Sequence, residues 1–535
     1  MGPVSRLLAA TRGVLDHALA CYADDPPARA VLAARRAGLG GPLRVALAGT
    51  VKAGKSTLLN ALVGERVAPT GVAECTRIVT TYADAPAPRI DVDLRAGAGH
   101  AVLAGVPGPP GPRSLPVRLD EGALRIDLGG LDPAAVAALR VGWPSGSLRA
   151  TTLVDTPGVD STREDVDGRA RAFLLGGVDA GAGAGAAGVG PAGADVVVHL
   201  VRHLRDPDVA FLEAFGDRVA AGVGAAGTLV VLSRADEVGG GRPDAVLAAR
   251  QVAARYRDDP GLRPWCTTVT TVAGLLAETA RTLRGREFTA LRDLAALPRT
   301  DLDALLVSAD RFCGLGDGPE DDATPPRPDR LALLDRFGLF GVRTATTLLR
   351  RGVADSATLA TELARRSGLD ELRELIDTRF LARRDVFQAR AALETVEALL
   401  RDRVPGGPGG SDPALAHLAG EVERVRGSAH AIVELDLLTA LRVRPLELPG
   451  VGAGEAERLL GEHGPGAAAR LGADPSAGPE ELRSRALDAH ARWREHADHP
   501  LADRRGADAA RTVVRSLEAL LVPPGPARPG PVTVR

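Results

Sequence analysis

Both lysines of this 535-residue chain, Lys52 and Lys55, fall within the eight residues Gly49-Thr-Val-Lys-Ala-Gly-Lys-Ser56. Every other basic side chain, 64 of the 66, is an arginine, so the compact ammonium is kept at this one place against the bias of the whole sequence. The segment follows the apolar run LRVALAG (43–49) and leads into STLLNAL, which predicts a turn from a buried strand directly into a helix. Glycines in such a turn let successive backbone N–H groups and the helix N-terminus face one anion, and the closing lysine reaches the oxygens of a polyphosphate. A strand that hands its chain to a helix in this way points to an open α/β sheet with its ligand at the strands' C-terminal edge.

Further short apolar runs agree with that sheet: TTLVD (151–155), DVVVHLV (195–201), GTLVVLS (227–233) and CTTVTTV (266–272). Separated by helical or glycine-rich stretches, they predict a mostly parallel sheet with helices on both faces. Residues 1–38 read as helices with a proline-containing break at Asp24 to Pro27. The stretch 176–194, almost all Gly and Ala, reads as a surface loop, and the acidic, Pro-rich residues 314–328 read as a linker.

Beyond the linker the strand signal ends. Val386, Leu393 and Leu400 repeat at seven, and Leu415, Leu418, Val422, Val425, Ala429 and Ile432 alternate steps of three and four, both helical spacings. The breakers of VPGGPGGSDP (404–413) between them imply a helical hairpin. The end, VPPGPARPGPVTVR, reads as a disordered tail, with a Pro-rich docking ligand as the alternative. The expected plan is N-terminal neck helices over 1–41, a nucleotide-binding α/β head over 42–300, a linker over 301–328, an all-α neck and trunk over 329–522, and a tail over 523–535.

Charge and cysteine usage narrow the partners. The 66 basic and 68 acidic residues leave a formal charge of -2, and residues 329–535 balance 30 arginines with 30 acids, so no nucleic-acid partner is expected. Four cysteines far apart, without a CxxC pair, support neither a disulfide framework nor a cysteine-based zinc site and suit a reducing cytosol. No targeting pattern opens the chain, and no uncharged stretch reaches the 18 or so residues of a membrane span. Membrane contact is therefore expected to be peripheral.

Four elements in order carry the chemistry. In the first, Lys55 reaches the β and γ phosphate oxygens and Ser56 ligates Mg²⁺, while Gly49, Val51, Lys52, Ala53, Gly54 and Thr57 complete the phosphate loop. Thr76, in a polar loop, supplies a second Mg²⁺ ligand and a nucleotide-sensing switch. In LVDTPG, Asp155 holds the Mg²⁺ through water and Gly158 offers its N–H to the γ-phosphate. In VVLSRAD, Asp236 accepts guanine N1–H and N2–H₂, with Arg234 stacked over the base. Together they predict a GTP/GDP site that uses Mg²⁺.

Residues 42–280 resemble the large GTPases of the dynamin superfamily, on KAGKSTLLNAL, PTGVAECTR, DTPGVDS, RHLRDPDVAFLEAF (202–215) and VAGLLAETA (272–280). The similarity is to bacterial dynamin-like proteins, in the actinobacterial group of the Streptomyces septum dynamins and the mycobacterial isoniazid-inducible proteins. LLDRFGLFGVR (333–343) and RRSGLDELRELI (365–376) extend it. The resemblance implies GTP hydrolysis, and heads that pair across their nucleotide faces with a second copy or a paralogous dynamin-like protein. It also implies a helical trunk that binds or remodels membrane at the inner face of the plasma membrane, as in division or membrane maintenance. By position it gives Thr76 the switch threonine role, Asp155 and Gly158 the second switch, Asp236 the base-reading role, and Ala273 and Gly274 the last guanine-contacting loop.

The sequence departs from that pattern in two places. Val51 and Lys52 stand where eukaryotic dynamins carry Gln and Ser, and Val159 follows Gly158 where small GTPases have their catalytic Gln. Lys52 either brings an ammonium to the β-γ bridging oxygen or faces solvent as a loop cation. RHLRDPD, with His203, is either a head–head contact or a solvated loop, and Phe337 and Phe340 are either core or a membrane wedge. Two competing functions stay open: a GTP-dependent latch or scaffold with negligible turnover, and, against the neutral helical half, a ribosome-associated GTPase.

Overall fold

The computed structural model describes residues 3–69, 78–94, 113–120, 122–158, 193–202, 225–314, 324–403, 412–446, 451, 454–500 and 502–522. Thr76, the stretch 176–192, His203 with the rest of RHLRDPD beyond Arg202, residues 315–323, most of VPGGPGGSDP and the tail from 523 lie outside the described residues. The chain divides into two compact units, Met1–Ala419 and Gly420–Arg535.

In the first unit, nine strands form one sheet: β1 (Leu43–Gly49), β2 (Val79–Asp84), β3 (Arg89–Leu94), β4 (Arg113–Leu115), β7 (Val136–Trp143), β8 (Thr151–Asp155), β9 (Val196–Val201), β10 (Thr228–Ser233) and β11 (Thr268–Val272). A hairpin of β5 (Arg118–Asp120) and β6 (Ala123–Arg125) stands apart from it. The sheet order is β11-β10-β9-β1-β8-β2-β7-β3-β4, with β11 through β8 all parallel. These five are the apolar runs of the sequence, buried on both faces as a helix-covered parallel sheet requires. β2 turns antiparallel to β8, and β3 and β4 continue antiparallel beyond β7. In β3 the buried Ile90 and Val92 alternate with Asp91 and Asp93, the pattern of a strand with one wet face.

Helices complete the unit: α1 (Pro3–Cys21), α2 (Pro26–Gly38), α3 (Lys55–Val63), α4 (Ala245–Arg257), α5 (Gly274–Arg281), α6 (Gly285–Ala296), α7 (Arg299–Leu305), α8 (Ala309–Phe312), α9 (Arg327–Arg350), α10 (Ser356–Ser367), α11 (Leu369–Leu375) and α12 (Arg384–Arg403). The Asp25 carboxylate accepts from Ala28 N–H at 3.0 Å and, with prolines in the first turn, starts α2 where the sequence breaks. One apolar cluster runs without interruption from Ala46 and Val154 in the sheet through Leu291 and Phe312 to Phe337, Val342, Leu359 and Leu363. Phe337 and Phe340 belong to this core, which excludes the wedge reading for them. Gly338, at φ +61°, breaks α9 between the two phenylalanines.

At the opposite edge of the sheet from the phosphate loop, Asp195 accepts from Arg44 N–H at 2.9 Å and pairs with Arg35 of α2 at 3.4 Å. Gln388 of α12 bonds Gly40 N–H, at 2.9 Å, and Gly41 O, at 3.0 Å, tying α12 to the start of β1.

Helix α13 (Pro413–Ser428) crosses the division between the units, and α14 (His430–Val443) follows after a break at Ala429, where ψ is 90°. The three–four periodicity predicted helix through this point; the Gly427-Ser428 pair, weak in helices, ends it. The second unit continues with α15 (Glu455–Leu459), α16 (Ala467–Leu471), α17 (Pro479–Ala497) and α18 (Arg504–Leu521) around the buried Trp493, Val513 and Leu517. It contains no strand among the described residues, and no described helix is long and apolar enough to cross a membrane.

Candidate nucleotide-binding site

The site begins where β1 ends. Gly49 has φ +142°, and a Cβ there would sit 2.3 Å from Leu200 O of the neighbouring β9, so only glycine lets the turn start. Lys52 at φ +62° and Gly54 at φ +93° wrap the next four residues, and Gly54 caps the N-terminus of α3. Lys52 and Arg234 are the two non-glycine residues with positive φ among the described residues, and both belong to predicted nucleotide-contacting turns. The Lys52 and Val51 side chains are exposed, while Ala53 is buried.

Lys55 is buried, with Nζ donating to Gly49 O at 3.0 Å and Thr50 O at 3.1 Å, so its ammonium is fixed at the inner rim of the loop. Ser56 Oγ donates to Asp155 Oδ2 at 2.7 Å, joining the first turn of α3 to the end of β8. The other oxygen, Asp155 Oδ1, is buried and accepts no hydrogen bond from any described residue. Burial pushes the Asp155 carboxyl up and the Lys55 ammonium down, and their mutual attraction opposes both shifts. Thr156 Oγ1 donates to Leu47 O at 2.8 Å, fastening the DTPG turn to β1. Gly158 then comes against Val51, where a Cβ on it would meet Val51 Cγ2 at 2.6 Å.

Beside the phosphate loop lies a cavity of about 250 Å³, and Ala53, Gly54, Thr57, Arg234, Asp236 and Gly274 are among its lining residues. Asp236 is buried and its carboxyl is pushed up chiefly by desolvation. Arg234, from the left-handed turn after β10, donates to Glu237 Oε1 at 2.5 Å, and Arg202 donates to Glu237 Oε2 at 2.9 Å. Ala273 does not line the cavity; its N–H donates to Ser367 O at 2.9 Å at the start of α5.

The floor of the cavity holds charges that the sequence reading passed over. Arg66 pairs with the buried Glu278 at 3.0 Å, and Arg336 of α9 lines the same floor while pairing with Glu287 at 2.7 Å. Asn60, the single asparagine of the chain, accepts from Ala68 N–H at 2.7 Å and donates to Ala68 O at 3.0 Å, bracing α3 from behind.

A cavity therefore lies beside the glycine-rich turn from β1 into α3, and sequence relationships say which family such a chain belongs to. A model of the dynamin family matches residues 45–91. Over 480 residues, 90% of this chain and 90% of the relative, the sequence is 40% identical to the isoniazid-induced protein IniC of Mycobacterium tuberculosis, in strains CDC 1551 and H37Rv. The chain belongs to the bacterial dynamin-like proteins. This dynamin-like chain thus carries the α/β GTPase domain of its family in the first unit. Two solved chains of an oligomerised bacterial dynamin pair, described as sensing and tethering membranes, align with 97% of it at 11% identity and a TM-score of 0.29. The alignment covers 74% of one of those chains and 80% of the other.

Proposed function

We propose that this dynamin-like protein hydrolyses GTP to GDP and phosphate at the β1–α3 turn, and that it self-associates through its heads at a membrane surface. The observation that carries the first part is the Asp155 carboxylate, bonded through one oxygen to Ser56 at 2.7 Å and holding the other buried without a hydrogen-bond partner among the described residues. Hydroxyl and carboxylate oxygens are the hard donors that Mg²⁺ selects, and an orphaned buried carboxylate oxygen is costly unless a cation or water meets it. Ser56, Asp155 and Thr76 would hold the ion, which when bound neutralises charge on the phosphates.

The chain's own groups do the rest. Backbone N–H groups of Val51 through Thr57 and the Lys55 ammonium receive the phosphates, and Gly158 offers its N–H at the γ end. Asp236 reads the guanine edge, Arg234 covers the base, and Gly274 closes the far side, with Ala273 held behind it by Ser367 O. Lys52, on an exposed left-handed turn, stabilises charge at the bridging oxygen. Head pairing with a second copy or a paralogue, and peripheral membrane binding, rest on family membership. The latch reading keeps one observation in its favour: neither Val51 nor Val159 offers a polar group to orient water.

Phosphate release from GTP, with ATP as control, measured across protein concentrations with and without anionic liposomes, tests the proposal. A GTP-selective rate per molecule that rises with concentration or liposomes is expected. Tight GTP binding with a flat or absent rate would instead establish the latch.

A further inference from the structure

The two helices whose N-termini face the cavity, α3 and α5, are each met at the C-terminus by an arginine from the helices that follow residue 327. Arg373 of α11 donates to both Ala61 O and Leu62 O at 3.0 Å, in the last turn of α3. Arg336 of α9 donates through Nη2 to Thr282 O at 2.8 Å, just past the end of α5, while Nη2 and Nε also engage Glu287. The last carbonyls of a helix carry its partial negative charge and lack intrahelical partners, so a cation there both caps the helix and complements its dipole.

The same helical segment grips the N-terminal side of α5. Ser367 O accepts the Ala273 N–H at 2.9 Å, and Glu371 Oε1 accepts from Thr270 Oγ1 at 2.9 Å. Between them, Gly368 at φ +82° lies so close to β11 that a Cβ would fall 2.1 Å from Thr271 O. That contact is backbone against backbone, with no flexible side chain to yield.

We propose that the corner Ser367–Arg373, together with Arg336, positions the base-binding side of the nucleotide site: it fixes Ala273–Gly274 against Asp236 and sets the axis of α3 beneath the phosphate loop. Arg373, which does not line the cavity, is then a positioning residue that acts on nucleotide affinity without touching nucleotide, while Arg336 both holds the end of α5 and lines the cavity. This rests on the GTP reading of the site.

The test uses the full chain and titrates non-hydrolysable GTP into wild type, Arg373→Gln, Arg373→Lys and Gly368→Ala, with thermal melting of each and turnover measured alongside. Arg373 is only partly buried, and its partners Ala61 O and Leu62 O are backbone carbonyls, so replacing it strands no buried carboxylate bonded to it. The expected result is about tenfold weaker GTP binding for Arg373→Gln, ~1.4 kcal/mol, with KM rising by the same factor and kcat changing less than threefold. Arg373→Lys recovers most of the affinity, because the charge at the end of α3 returns. Gly368→Ala weakens binding at least as much, at a temperature where melting shows it folded. Wild-type affinity in both folded variants overturns the positioning role. Failure of the wild type itself to bind GTP overturns instead the reading of the site on which it rests.

Discussion

Gly158 and Val51 are in contact so close that a Cβ on Gly158 would lie 2.6 Å from Val51 Cγ2 and 2.9 Å from Val51 N. The turn after β8 and the phosphate loop therefore pack backbone to backbone, and on the proposed role of Gly158 a side chain there would push its N–H away from the γ-phosphate end. Gly158→Ala is expected to lower kcat on the order of 10²-fold, the loss seen when one preorganised N–H donor is removed, with a smaller change in KM. Single-turnover hydrolysis separates the two, and an unchanged chemical step would refute the assignment.

Lys52 combines a left-handed backbone at φ +62° with an exposed ammonium, and these can be tested apart. Lys52→Ala removes the charge and keeps the strain of a Cβ at positive φ, whereas Lys52→Gly removes the charge and relieves that strain. If the ammonium acts on the transition state, both variants lose roughly 10²-fold in kcat. If the left-handed loop geometry alone matters, Lys52→Ala, which keeps the Cβ and the loop it shapes, turns over like wild type.

The residues that were legible in the sequence are those fixed by local chain geometry. Gly49, Lys55, Ser56, Asp155 and Asp236 sit at strand ends, where apolar runs stop and polar turns begin, and a single pass along the chain finds such places. Strands β3 and β4 escaped that pass because β3 alternates buried and wet residues, as in RIDVDL, and β4 is only three residues long. The charged floor of the cavity was beyond reach for another reason. Arg66 and Glu278 are 212 residues apart, and only the packing of α5 against α3 brings them together. Phe337 and Phe340 show the limit of helical spacing: it marks an apolar face without saying whether core or lipid covers it.

The buried carboxylate of Asp236 yields a prediction with a sign. Desolvation is the largest influence on it and holds its pKa above the ordinary 3.8. Guanine recognition needs the ionised form, so GTP affinity falls as pH drops through that raised value, sooner than an exposed aspartate would allow. For the fold the sign reverses: the native state holds this proton more tightly than the unfolded chain, so Asp236 favours folding at low pH and opposes it once pH rises past its folded pKa. Asp236→Asn abolishes both dependences. It also exchanges one acceptor for an amide donor, matching the carbonyl that xanthine carries in place of guanine's amino group. Nucleotide competition with XTP is expected to show a preference reversed relative to wild type, and retained GTP preference would assign base reading elsewhere.

Phe337, 1% exposed, packs in the cluster that joins the sheet to α9, and Gly341 has room for no more than contact with it, a Cβ there lying 3.0 Å from Phe337 Cβ. Removing the ring opens a cavity where neighbouring helices are tied by buried ion pairs such as Arg336 with Glu287, so the site cannot collapse freely. Phe337→Ala is expected to cost about 3–5 kcal/mol of stability, read as a lower urea midpoint at unchanged slope for the first transition. Phe337→Leu, which keeps most of the apolar volume, should recover much of the loss. Liposome co-sedimentation of the folded variants should match wild type, because the ring is buried in the apolar cluster of the first unit. Loss of liposome binding without loss of stability would return these phenylalanines to the membrane.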